Sequence, residues 1–273
     1  MRPILRPLLV LHSDAVFREQ VRRAGGRRFE YQQVTDWEEL RERTRVAPPA
    51  ALILVDPYTD GELSAALRSL LLEFPSATVV AALDLRPERY RDLRTLGAWG
   101  VAEVIALGEE DTGDSIARRL KGVQGRPLQS LLERSLPPHT SGQARAILMA
   151  AAEVVSTGGQ ANELARALYL SPRTLLRWCN RAELPPPRRL LAWMRILLAT
   201  ELLDDPGRTV SSVAHACGYS SDNSLRRALQ DFLDTTPTTL RRDGAFSLAS
   251  GTFISELAEV KAGGGIRAES RAG

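Results

Sequence analysis

The chain has 273 residues, of which 44% are hydrophobic, and its formal net charge is +3. This length predicts about two domains, and the hydrophobic fraction excludes wholesale disorder. No apolar run approaches the ~18 residues of a membrane-spanning helix, so we expect no membrane partner. The chain has two cysteines and three histidines. Their spacing predicts neither a disulfide framework nor a metal site, and it favours a reducing cytoplasm as the location.

The charge is spread unevenly along the chain. Residues 1–123 carry 18 basic and 19 acidic side chains, whereas residues 144–243 carry 13 basic and 10 acidic ones. The basic excess therefore lies in the second half of the chain, where it is a weak indication of a polyanionic partner.

Short apolar segments alternate with helical patterns over residues 1–123. The apolar run at 7–11 is short and is interpreted as a first strand, not as part of a signal peptide. The candidate strands are residues 7–11, 29–34, 51–55, 78–83 and 101–106. The candidate helices are residues 14–24, 37–45, 62–73, 87–96 and 114–121, and the carboxylates expected to cap three of them are Asp14, Asp36 and Asp60. Five βα repeats predict a flavodoxin-like α/β domain, with a parallel sheet between two layers of helices.

Asp56 follows the third candidate strand, in the sequence Leu-Ile-Leu-Val-Asp-Pro. Together with the (βα)5 order, this aspartate makes residues 4–123 resemble the receiver domain of response regulators. The resemblance implies that Asp56 accepts a phosphoryl group with the help of a magnesium ion. Such a site uses two acids after the first strand, a hydroxyl residue after the fourth and a lysine after the fifth.

Most of those helper residues are missing here. The first strand is followed by one acid, Asp14, the fourth ends in Ala-Ala-Leu-Asp84, and the fifth ends in Ile-Ala-Leu-Gly. We therefore expect a receiver-like domain that acts in signalling or dimerisation without phosphorylation. Phosphorylation of Asp56 is the alternative, and a phosphotransfer or phosphatase site built on Asp14, Asp56 and Asp84 is an enzymatic hypothesis.

Residues 124–143 are rich in proline and glycine and predict a semi-rigid linker, with a short helix at 128–135 as one option. Residues 244–273 predict a flexible tail that contains one amphipathic helix at 252–260.

The segment between these boundaries repeats one pattern. A short apolar helix, a tight break and a serine-capped helix with exposed arginines occur at residues 162–181 and again at 210–232. This order is typical of a helix-turn-helix unit, whose second helix enters the major groove of DNA. Residues 188–203 are apolar at helical spacing and predict the helix that joins the two units.

Residues 144–243 resemble the DNA-binding domain of the AraC/XylS family of bacterial transcription regulators. The residues that carry the resemblance are Leu164, Ala165, Ser171, Pro172, Arg173, Thr174, Leu175, Arg177, Val213, Ala214, Gly218, Tyr219, Ser220, Leu225, Arg227, Thr236, Pro237, Leu240 and Arg241. The departures from the family pattern affect packing: Cys179 stands where an aromatic residue is usual, and Glu183 and Leu184 replace a glycine. Leu229 and also Leu225, although apolar as the pattern requires, replace two usual phenylalanines.

The resemblance implies an all-α domain of seven helices that places two recognition helices in adjacent major grooves. The DNA-binding residues carried over by position are Arg173, Thr174, Leu176 and Arg177 in the first helix and Ser221, Asp222, Asn223, Ser224, Arg226 and Arg227 in the second. Each arginine has an alternative role in an ion pair, and the family pattern favours an inward, structural place for Arg227. Asn223 and Asp222 can read adenine and cytosine, or they can serve only the helix start.

These observations predict a sequence-specific transcription regulator that is not an enzyme and has no cofactor. Double-stranded DNA is the expected partner, RNA polymerase is a further candidate partner, and we expect a homodimer. The competing hypothesis is an interaction module whose helix-turn-helix units bind protein.

Overall fold

The computed structural model describes residues 6–269, apart from residues 27, 60, 109–111, 125 and 138. The chain divides into two compact units. The first unit combines Met1–Pro127 with Asp205–Ser212, and the second combines Leu128–Asp204 with Val213–Gly273. In the described part of the chain, no helix is both long and apolar enough to cross a membrane.

The first unit contains a five-stranded parallel sheet. Its strands are β1 (Arg6–Leu11), β2 (Phe29–Gln33), β3 (Leu52–Val55), β4 (Thr78–Asp84) and β5 (Glu103–Leu107). The strand order is β2-β1-β3-β4-β5, and Leu52 of β3 pairs with Leu8 on one side and with Thr78 on the other. This is the order of flavodoxin-like sheets, so the predicted fold class is confirmed in general terms.

Helices follow the strands in this unit. They are α1 (Ala15–Gly25), α2 (Trp37–Val46), α3 (Ala65–Glu73), α4 (Tyr90–Trp99) and α5 (Gly113–Gln124), with a 3-10 turn at Pro87–Arg89. Both faces of the sheet are covered, because Leu9 belongs to one apolar cluster while Leu8 and Val10 belong to another. Alternate side chains of a strand point to opposite faces, so buried strands need apolar residues throughout.

Two of the three predicted helix caps are present. The Asp14 carboxylate accepts the backbone N–H groups of Val16 and Phe17, and Asp36 accepts that of Glu39. The third prediction is wrong, because α3 begins at Ala65 with Ser64 at its N-cap position, and not directly after Asp60, which itself lies outside the described residues.

The segment Asp205–Ser212 contains a buried ion pair, and the two residues of that pair also form hydrogen bonds with the rest of the first unit. Arg208 Nε lies 3.0 Å from an Asp205 oxygen, and both side chains are almost fully buried. Asp205 also accepts the backbone N–H and the hydroxyl of Ser76, and Arg208 donates to the carbonyl of Ala47. A buried charge pair is tolerated only when its remaining polar atoms find partners, and this pair meets that condition.

The second unit is helical. Its helices are α6 (Arg126–Ser135), α7 (Gly142–Ser156), α8 (Ala161–Ala167), α9 (Pro172–Arg181), α10 (Pro187–Leu203), α11 (Val210–Ala216), α12 (Asp222–Leu233), α13 (Pro237–Asp243) and α14 (Ala245–Glu269), of which α6 and α11 begin in residues grouped with the first unit. The AraC/XylS resemblance implied a domain of seven helices, and α7 to α13 are seven in number. Helix α10 is the centre of the core, with Trp193, Met194 and Leu197 almost fully buried.

One segment contains more helix than the sequence predicted, because α14 begins at the start of the predicted tail. Helix α6 agrees, to within two residues, with the short helix that the sequence offered as an option at 128–135. The Asp204 carboxylate at the end of α10 accepts the backbone N–H groups of Ala245 and Phe246, which would otherwise have no partner within α14. This cap is supplied by a residue 41 positions earlier in the chain.

Candidate nucleic-acid interface

Two turns of the same geometry precede α9 and α12. In the first, the backbone N–H of Leu170 donates to the carbonyl of Ala165 over 2.8 Å, and Tyr169 has a left-handed backbone with φ 56°. In the second, Tyr219 donates to Ala214 over 2.9 Å, and Gly218 has φ 72°. In both cases the donor lies five residues after the acceptor, so the same hydrogen-bonded turn occurs in both units.

A serine opens the helix that follows each turn. The Ser171 hydroxyl oxygen accepts the backbone N–H of Thr174 over 3.1 Å, and the Ser221 oxygen accepts that of Ser224 over 3.2 Å. Such a cap provides a partner for a free N–H group at the helix start. The second turn has one more residue than the first between the left-handed position and the cap, and this extra residue is Ser220.

Three of the predicted contact residues in α9 are exposed, and the fourth is partly buried. Arg173, Leu176 and Arg177 face solvent, while Thr174 is half-buried and its hydroxyl lies 2.9 Å from that of Ser171. Leu176 stands out because 42% of an apolar side chain is exposed. On the opposite side of the helix, Leu175 and Cys179 are buried.

The predicted contact residues of α12 interact with one another more than those of α9 do. Asn223, Arg226 and Arg227 are exposed. Arg226 lies 4.0 Å from the Asp222 carboxylate, one helical turn away, and each of these side chains is nearly half exposed. The Ser224 hydroxyl lies 2.8 Å from that of Ser220, so it already makes one hydrogen bond within the protein.

The two helices differ in charge. Helix α9 carries three arginines and no acidic residue, whereas α12 carries two arginines and two aspartates. Helix α9 therefore has the stronger positive potential for a polyanion, and α12 offers a neutral mixture of donors and acceptors.

The structure differs from the sequence-based expectations at two positions. Arg227 is exposed, contrary to the inward place that the family pattern favoured. Tyr169 was not among the predicted site residues, yet its side chain is 97% exposed beside the start of α9. The sequence signal for Tyr169 is its alignment with Gly218 between the two repeats, because both precede a serine-capped helix.

A family model described as a helix-turn-helix domain matches residues 164–243. These residues form a helix-turn-helix domain. The match includes both turns, α9 and α12, and it supports a DNA-binding transcription regulator of the AraC type. None of the curated proteins matches the chain, and no match was found among solved structures.

The three carboxylates predicted at the edge of the sheet in the first unit, Asp14, Asp56 and Asp84, each interact with a residue close to them in the chain or in space. Asp14 caps α1, and Asp84 lies 2.7 Å from Arg86. One oxygen of Asp56 accepts the Tyr58 backbone N–H over 2.9 Å, and the other lies 3.4 Å from the Ser13 hydroxyl. Across the described residues, no three acidic, histidine or cysteine side chains converge as a metal site would require.

His12 is buried beside the same edge. Its Nδ1 accepts the backbone N–H of Asp14 over 3.1 Å, and its ring centroid lies 4.6 Å from that of Phe17. Burial lowers the pKa of His12 below its usual value near 6.5, although the Asp56 and Asp14 carboxylates oppose that change. The buried imidazole therefore favours the neutral form.

Proposed function

We propose that the chain is a sequence-specific, AraC-type transcription regulator that places α9 and α12 in successive major grooves of DNA. The observation that carries this proposal is the repeated unit: the same turn, the same serine cap and exposed arginines on the helix that follows. Helix-turn-helix proteins present their second helix to the major groove in this way.

The chemistry of the exposed residues fits the major groove. Arg173 and Arg177 carry forked donors that match guanine or phosphate, and Leu176 offers an apolar contact for a thymine methyl group. Asn223 on α12 has the donor and acceptor pair that recognises adenine. We infer that α9 supplies most of the electrostatic attraction and that α12 contributes mainly hydrogen-bonded readout.

The N-terminal domain acts, in this proposal, in signalling or dimerisation. Its strand order and the position of Asp56 support a relationship to receiver domains, while the engaged Asp14 and Asp84 favour a role without phosphorylation. RNA polymerase is a further candidate partner of the regulator.

Selection of duplexes from a random library by the full chain tests the function. We expect enrichment of one sequence family, and competition by the selected duplex at concentrations at least 1,000-fold below those needed for a scrambled duplex. Equal competition by both duplexes would contradict sequence-specific binding. Binding of neither duplex would favour the protein-interaction alternative.

A further inference from the structure

Helix α14 is an integral part of the helical unit, although it lies beyond the segment that the helix-turn-helix model matches. It packs along α10 and also contacts α12 and α13. Its buried face includes Phe253 and Leu257. The end of α12 is therefore next to an element that lies outside the matched helix-turn-helix segment.

An aromatic cluster connects the three helices. Trp193 of α10 is fully buried and meets the ring of Phe232 on α12 edge-on, with centroids 4.9 Å apart. The ring of Phe253 on α14 lies 5.3 Å from Trp193 and is itself fully buried. Aromatic pairs with this spacing and tilt gain more than their buried area alone provides.

An ion pair connects the same three helices on the outer side of the cluster. Arg189 of α10 donates two hydrogen bonds to the Glu256 carboxylate of α14, one from Nε over 2.6 Å. The same guanidinium lies 4.9 Å from the centre of the Phe232 ring. The Glu256 side chain is only 13% exposed, whereas that of Arg189 is 52% exposed, so solvent screens this forked pair from the arginine side only.

The position of Phe232 makes these contacts relevant to the second recognition helix. Phe232 lies in the last turn of α12, about two and a half turns beyond the exposed Asn223. Leu225 and Leu229 already bury the inner face of α12. Contacts that fix Phe232 therefore fix the C-terminal end of α12. Because the helix is rigid, they also set the orientation of its first turn, which carries Asn223.

We propose that α14 positions the second recognition helix, with Glu256 acting through Arg189 and Phe232, and Phe253 acting through Trp193. Neither α14 residue touches DNA in this proposal; both are positioning residues. The inference rests on the proposed function, because it assigns a task to α14 only if α12 reads a groove. Helix α9 packs against α8 and α10, and α14 comes close to it at the turn that follows, where Lys261 lies 3.8 Å from the Glu183 carboxylate. The Glu256 and Phe253 contacts involve α12 and not α9.

The test uses the full chain and a selected duplex in which the two bound segments are mapped by footprinting. The variant Glu256→Gln removes the charge of the pair, and Glu259→Gln is the matched control, since Glu259 is exposed on the same helix. We expect Glu256→Gln to weaken binding of the two-segment duplex roughly three- to tenfold. For a duplex in which the DNA segment bound by α12 is scrambled, the Glu256→Gln variant and the unsubstituted protein should have the same affinity.

A spacing series separates positioning from general stability. Duplexes with one base pair added or removed between the two segments should bind the unsubstituted protein poorly, and Glu256→Gln should lose much of that discrimination. A loss of affinity that is equal for every spacing and for the scrambled duplex would overturn the proposal, as would no change at all. Phe253→Leu gives a second, independent variant with the same expected pattern. If the unsubstituted protein protects no DNA, the proposed function itself fails, which is a different result.

Discussion

Tyr169 and Gly218 occupy the same place in the two turns, each with a left-handed backbone. Glycine adopts this conformation without strain, whereas other residues pay about 1–2 kcal/mol. A Cβ added at Gly218 would meet nothing within 4 Å, so the backbone alone opposes substitution there. In the first turn, Tyr169 therefore carries this backbone strain, and its side chain points into solvent.

Gly218→Ala should therefore lower the free energy of unfolding by about 1–2 kcal/mol. Urea unfolding of the full chain measures the change. Gly251→Ala is the control, because Gly251 lies within α14 with equally open space and without a left-handed backbone. This control should leave stability unchanged or raise it by up to about 1 kcal/mol. Equal destabilisation by both variants would show that the turn geometry is not the cause.

The arginines of α9 should dominate the salt dependence of DNA binding. Arg177→Gln should lower the slope of log affinity against log salt concentration by about one, because one phosphate-contacting charge releases about one counterion. Arg145→Gln on α7 is the control, since Arg145 is also exposed but lies outside the proposed interface. Fluorescence anisotropy at several salt concentrations measures the slope. Identical slopes for both variants would remove Arg177 from the phosphate contacts.

An arginine that reads a base behaves differently from one that contacts phosphate. If Arg173 contacts guanine, Arg173→Gln should cost about 1–3 kcal/mol on the selected duplex and little on a duplex changed at that base pair. Competition between the two duplexes measures this difference. A uniform loss on every sequence would place Arg173 on the phosphate backbone.

Buried His12 should make stability depend on pH. Because its folded pKa is lowered, the unfolded chain binds more protons between that lowered pKa and about 6.5, so stability falls as the pH falls through this window. The limit is about 1.4 kcal/mol per pH unit. The charged groups acting on the imidazole are Asp56, Asp14 and Arg18. Urea unfolding at pH 7.5 and pH 5.5 should show a smaller difference for His12→Gln, whereas a His215→Gln control should keep it.

Asp56 should not accept a phosphoryl group from acetyl phosphate and magnesium. Asp14 is occupied as a helix cap, and the hydroxyl and the lysine that would assist the reaction are missing after the fourth and fifth strands. Intact mass after incubation is the measurement, and the expected result is an unchanged mass. Addition of one phosphate that disappears in Asp56→Asn would instead establish the phosphorylation alternative.

Local sequence patterns predicted most of the secondary structure. Alternating apolar segments located the five strands. Ser171 marked the start of α9, and the pair Ser220–Ser221 marked that of α12, where the structure assigns the cap to Ser221, because capping depends on neighbouring residues. The repeats also predicted the flavodoxin-like class of the sheet, which the strand order confirms in general terms.

Features that depend on distant residues were not predictable in the same way. The membership of Arg208 in the first unit depends on carbonyls about 160 positions earlier, and the start of α14 depends on Asp204. The pairing of Arg189 with Glu256 spans 67 positions. No local pattern encodes such contacts, so the role that we propose for α14 could be inferred only from the packing of the chain.

Cleavage of DNA from single cysteines on the two helices tests the central claim most directly. Cys179 and Cys217 are buried, and burial raises the pKa of the Cys179 thiol to about 11, so a cleavage reagent should attach only to an introduced cysteine. Thr174→Cys and Asn223→Cys should cut the selected duplex at two positions about one helical turn, or ~10 base pairs, apart. Cutting at a single shared position, or none from Asn223→Cys, would contradict two recognition helices in successive major grooves.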